Sequence, residues 1–71
     1  EFTIYPNPTT TVLNIKMKTL LKSAVVFNMQ GQKVIESRTR QIDVSSLSIG
    51  VYIIKVEDEN GGVITKRFVK Q

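Results

Sequence analysis

Hydrophobic and polar residues alternate along most of this chain, with a period of two and not 3.6. In Val12–Met17, Leu13, Ile15 and Met17 share one face, and Asn14 and Lys16, followed by Lys18, share the other. That pattern predicts a half-buried strand. The stretch "SAVVFNM" is β-branched and aromatic and predicts a more buried one. It runs into Gln30-Gly31, and a glycine supplies the positive φ of a tight hairpin. Ala24–Met29 and Gln32–Ser37 are therefore predicted as its two arms. Further on, Ile42–Val44 is a short strand candidate, and Leu47 is expected to plug the core from a loop. "VYIIKVE" is the strongest strand, with Tyr52, Ile54 and Val56 on one face and Val51, Ile53 and Lys55 on the other. "EDENGG" is a turn, and its Asn60-Gly61 is a favoured hairpin dipeptide. The last strand, "VITKRFVK", is read with Ile64 and Phe68 inward, because burying Phe68 is worth about 2–3 kcal/mol. Lys66 and Lys70 then have to reach the rim by their stems. A helix over Thr19–Ser23 is the weakest alternative, being too short to nucleate alone.

Six or seven short strands with a turn every eight to twelve residues or so predict an all-β fold. The expected architecture is a small antiparallel β-sandwich, immunoglobulin-like, of about seven short strands. With 71 residues there is room for one domain, 1–71. A hydrophobic share of 41% is ordinary for a globular chain. No apolar run approaches the ~20 residues of a membrane span.

The opening "IYPNPTT" asks why two prolines bracket one asparagine when proline occurs nowhere else. Proline donates no backbone hydrogen bond and fixes its own φ. It also pushes its predecessor, here Tyr5 or Asn7, toward extended conformations. The segment can thus leave an edge strand over Thr3–Tyr5 and turn without ladder partners. Tyr5 is expected to lay its ring over the core rim with its hydroxyl toward water.

The chain is poor in reactive chemistry. It has no cysteine and no histidine, which removes disulfides, the commonest general base and the commonest zinc ligand. No Ser-x-x-Lys pair and no phosphate-binding glycine loop is present. Of six acids, three fall in one turn (Glu57, Asp58, Glu59), which raises a weak calcium alternative there. No enzyme activity and no cofactor are expected. The formal net charge of +4 is scattered, with one local cluster at Lys66, Arg67 and Lys70. Scatter suits solubility and protection of strand edges. A nucleic-acid surface needs aromatics interleaved with cations. Phe27 and Tyr52 read instead as core, so no nucleic-acid partner is expected.

Four separated motifs, "IYPNPTTTVLNI", "VVFNMQGQKV", "IDVSSLSIGVYIIKV" and "TKRFVKQ", stand in an order and spacing that resemble a known family. It is the type IX secretion system C-terminal sorting domain, type A (Por secretion system C-terminal domain), of Bacteroidetes. The resemblance runs from about Ile4 to Lys70. Tyr5, Pro6, Asn7 and Pro8 match the opening motif, and Gly31 matches the hairpin glycine. Asp43, Leu47, Gly50 and Tyr52 match the central motif, and Lys70 matches the terminal basic residue. Gln32 departs from the usual cation after the hairpin glycine, and Ser48-Ile49 from a loop that often holds Pro and Lys.

The resemblance implies a secretion address fused behind a parent cargo domain, so the chain is read as a fragment of a larger secreted protein. It implies recognition as a folded module in the periplasm and passage of the cargo through the outer membrane. The implied partners are translocon components and a sortase-like protease that removes the module at the cell surface. Lys66, Arg67, Phe68, Val69 and Lys70 are the candidate recognition residues. The physical reason is their place on a terminal edge strand, which can accept a partner strand while its cations steer an acidic surface. The alternatives are an immunoglobulin-like accessory or adhesion module of a surface protein without a transport role, and a basic nucleic-acid binder.

Overall fold

A computed structural model describes residues 2–71. Seven strands follow one another: β1 (Phe2–Tyr5), β2 (Val12–Met17), β3 (Leu21–Phe27), β4 (Lys33–Ser37), β5 (Gln41–Asp43), β6 (Gly50–Asp58) and β7 (Val63–Lys70). They form two antiparallel sheets, one ordered β1-β2-β5 and the other β4-β3-β6-β7. The all-β sandwich expected from the alternation is the observed fold. Thr19–Ser23, weighed as a helix, instead leads into β3. Its register against β6 begins at Leu21↔Asp58, and the Glu59 N–H binds the Leu20 carbonyl at 2.9 Å.

The core follows the sequence faces. Leu13 and Ile15 of β2, Ala24 and Val26 of β3, and Tyr52, Ile54 and Val56 of β6 are buried. Phe68 is fully buried and stacks on Tyr52 with ring centroids 5.8 Å apart. Phe2, whose position at the start of the chain gave no periodic signal, is also core. Ile42 and Val44 enter from β5 and the residue after it, and Leu47 packs half-buried against the core. Asp43 shapes that loop: its Oδ1 accepts from the Ser45 N–H at 2.9 Å and the Ser45 hydroxyl at 2.6 Å. The Tyr52 hydroxyl donates to the Ser48 carbonyl at 2.7 Å, so its one polar atom is satisfied at the core boundary.

The two main hairpin turns share one construction. In residues 28–32, Asn28 Oδ1 accepts from the N–H groups of Gln30 and Gln32, both at 3.0 Å. In residues 58–62, Asp58 Oδ1 accepts from Asn60 and Gly62 at 2.9 and 2.8 Å. The fourth residue of each, Gly31 and Gly61, has φ of 84° and 87°. Asn60-Gly61 therefore does not act as a two-residue turn, since no non-glycine residue has positive φ among the described residues. An Asx side chain at the head of the loop closes it instead.

Candidate functional site

β7 is the last strand in the chain and lies at the edge of the larger sheet. An edge strand offers every second residue's N–H and C=O outward. On β7 these residues are identified by the partners of Val69. Its N–H donates to Asn7 Oδ1 at 3.0 Å, and its carbonyl accepts from the Thr9 N–H at 2.9 Å. The register Val51↔Val69, Ile53↔Arg67, Lys55↔Thr65, Glu57↔Val63 then places Arg67, Thr65 and Val63 in the same outward set.

Those contacts explain the opening motif. After β1 the chain crosses to the other sheet, and Thr9 pairs with Lys70 in parallel. Thr9 N–H and Thr9 carbonyl bond Val69 and Gln71, the latter at 2.8 Å. Asn7 adds one more rung with its side chain, as its Nδ2 also donates to the Arg67 carbonyl at 3.4 Å. A carboxamide has one acceptor and one donor side by side, as a peptide unit does. Asn7 thus stands in for a strand residue between two prolines that cannot donate, and both Tyr5–Pro6 and Asn7–Pro8 are cis. Tyr5 itself lies further out than expected, 52% exposed. Its carbonyl accepts from Asn14 Nδ2 at 3.1 Å.

The result is a half-capped edge. From Arg67 O to Gln71 it is occupied by Asn7 and Thr9. From Val63 to the Arg67 N–H, the outward groups have no backbone partner among the described residues.

The five candidate recognition residues divide accordingly. Phe68 belongs to the core, and Lys70, expected as an accessible cation, is only 7% exposed. The Lys70 ammonium reaches the rim to donate to the Gln71 carbonyl at 3.2 Å. Lys66 is half-buried, its Nζ 5.2 Å from the centre of the Phe2 ring. That contact closes the inner face of β7, where Ile64 remains 38% exposed. Val69 is half-buried and faces out, its backbone already engaged by Asn7 and Thr9. Arg67 alone of the five is exposed. Gly31, Asp43 and Leu47 serve turns and core, while Gly50 and Tyr52 lie on β6 opposite Lys70 and Phe68 and support β7 from within the sheet.

Sequence reasoning also missed Arg40, whose guanidinium donates to the carbonyls of Met17 and Thr19 at 2.9 and 2.7 Å and ties off the end of β2. The calcium alternative at Glu57, Asp58 and Glu59 turns on Asp58. Its carboxylate is taken by the N–H groups of Asn60 and Gly62 and by the Thr19 hydroxyl at 3.2 Å. The Gly62 N–H chiefly holds its pKa below the ordinary value. Asp43 is lowered likewise, mainly by the Ser45 hydroxyl.

An immunoglobulin-like sandwich with an open strand edge is an architecture shared by many kinds of module. The comparisons specify which. A family model described as "Secretion system C-terminal sorting domain" matches residues 3–71, and the chain belongs to that family. It carries a C-terminal type IX secretion sorting signal, which directs export to the cell surface or the medium. The family is one of sorting domains and not of enzymes. Beta-agarase D of Zobellia galactanivorans is 34% identical over 68 residues, which cover 93% of this chain. The match spans only 14% of that protein's length. Among solved structures, CopC from Methylosinus trichosporium OB3b superposes with a TM-score of 0.55 at 12% identity, over 99% of this chain and 91% of that one. At that identity the likeness concerns the fold alone.

Proposed function

We propose that this module is read in its folded state by the type IX export machinery, and that the reader adds an extended segment to the open half of β7. The observation that carries the reading is the half-capped edge. Asn7 and Thr9 close the segment from Arg67 O to Gln71, and Val63, Thr65 and the Arg67 N–H stay open. Strand addition uses backbone groups for affinity and flanking side chains for register, and exposed Arg67 sits at the boundary of cap and opening. The module marks a cargo domain joined upstream. It passes through the periplasm and is removed by a surface sortase-like protease. The accessory or adhesion alternative gains no support from the two clefts beside Phe2. The clefts beside Phe2 are a shallow one of about 100 Å³ and a wide, open one flanked by Lys16 and Lys18.

The test is export of a periplasmic reporter fused ahead of residues 1–71 in a secreting Bacteroidetes host. Thr65→Pro removes one outward N–H and leaves the β6 ladder intact, as proline is tolerated on an edge strand. The fusion is expected at the cell surface or in the medium, and the Thr65→Pro fusion in the periplasm, with its fold retained by circular dichroism. Equal export of the two would rule out strand addition at this edge. A wild-type fusion that stays in the periplasm would rule out the sorting function itself.

A further inference from the structure

The outer face of the larger sheet, which includes the side chains of Arg67 and Val69, carries a feature beyond the backbone edge of β7. Residues paired across neighbouring strands share a face. Val51 pairs with Val69, Ile53 with both Phe27 and Arg67, and Lys55 with both Val25 and Thr65. All of these point away from the core, because Tyr52, Ile54 and Val56 between them are buried. Val25, Phe27, Val51, Ile53 and Val69 therefore form one apolar stretch across three strands, with Val51 exposed and the other four half-buried. The solvent side of a sheet with one buried face is ordinarily polar, so an apolar row there asks for an occupant.

The charges around it say what kind. Each acid on this face is already paired: Glu36 with Lys33 at 3.0 Å and Glu57 with Lys22 at 3.7 Å. Lys55 and Arg67 are exposed and have no carboxylate partner among the described residues. The face is thus apolar in its middle and carries two uncompensated positive charges on the β6–β7 side. We infer that it docks a protein of the export route whose contact patch is apolar and edged by carboxylates. This rests on the sorting function proposed above. A second copy of the chain fits poorly, because both faces would bring uncompensated positive charge and no free carboxylate to the contact. An anionic lipid surface is the lesser fit, since two cations and no flexible apolar anchor hold a membrane weakly.

The experiment uses the same reporter fusion with a photoreactive residue in place of Val51, alone and combined with K55E/R67E. Purified modules are compared by thermal unfolding, and K55Q/R67Q serves if charge reversal unfolds the chain. Export of the reversed variant is expected to fall at least about tenfold, because like charges now face the partner. The Val51 position should give one discrete heterologous protein adduct that disappears on reversal. Undiminished export of K55E/R67E alongside an exported parent overturns the docking surface and leaves the sorting function standing. So does an adduct with the mass of a homodimer. Binding to phosphatidylglycerol vesicles that is lost on reversal, with no protein adduct, reassigns the face to lipid and equally overturns it. Failure of the parent fusion to be exported overturns the sorting function instead.

Discussion

Asn7 and Val69, 62 positions apart, meet through a side-chain oxygen and a backbone N–H at 3.0 Å. With the Arg67 carbonyl on the other side of the same carboxamide, one side chain does the work of a strand residue. Asn7→Ala should lower stability by about 0.5–1.5 kcal/mol, the usual net worth of a hydrogen bond, read from the urea midpoint. It should also promote concentration-dependent self-association by uncovering an edge, which sedimentation velocity would detect. An unchanged sedimentation profile would mean that Thr9 alone suffices as the cap.

Phe68 fills the centre of the sandwich against Tyr52. Phe68→Ala should cost about 3–5 kcal/mol, much of the total of roughly 4–10 kcal/mol available to a chain this small. A thermal midpoint lowered by tens of degrees, read by circular dichroism, is the expected outcome. Deleting residues 68–71 removes the same ring and the Thr9 partner strand. A trimmed signal that fails to export therefore speaks first of folding, and the Thr65→Pro edge variant is the cleaner probe of recognition.

Asp58 gives the module an acid-sensitive turn. Its carboxyl is held below the ordinary 3.8, first by the Gly62 N–H, with the Thr19 hydroxyl and Asn60 N–H adding to it. A group with a depressed folded pKa contributes stability above its unfolded pKa. That contribution is lost as pH falls through the folded value. Stability measured from about pH 5 down to about pH 2 should decline, and Asp58→Asn should flatten part of that slope. An identical slope in the variant would place the acid sensitivity elsewhere, with Asp43 the next candidate.

Gly31 and Gly61 hold the same place in two like turns, at φ of 84° and 87°, with open space where a Cβ would stand. Alanine at either should cost about 1–2 kcal/mol through backbone strain alone. The two effects should add in the double variant, since the turns are separate. Thermal melts of the three variants check this.

The strands were legible because β2, β3 and β6 each bury one face, and a half-buried strand writes that face into every second residue. Phe2 was missed because one residue at the start of a chain has no periodicity. The shape of the 58–62 loop was misread because Asn60-Gly61 satisfies a dipeptide rule, whereas Asp58 closes the loop by a side-chain bond that rule ignores. Least legible was the cap on β7. A parallel bridge from Thr9 to Lys70 leaves no local pattern, and a carboxamide imitating a peptide unit looks like any polar turn residue. The available signal was an asparagine flanked by two residues that cannot donate, opposite an edge that needed covering. Lys70 was placed on the inward face, but the depth of its burial was not legible, since the segment at Thr9 that covers it comes from the far end of the sequence.

The bridge between Thr9 and Lys70 also orders events in time. A ribosome makes Asn7 and Thr9 early in this segment and Phe68 and Lys70 at its close, so the sandwich cannot shut while any part is unmade. A message cut short before Phe68 yields a polypeptide lacking both the central ring and the latch. Under the folded-state recognition proposed above, export is thereby withheld from products cut before Phe68, with no separate inspector required.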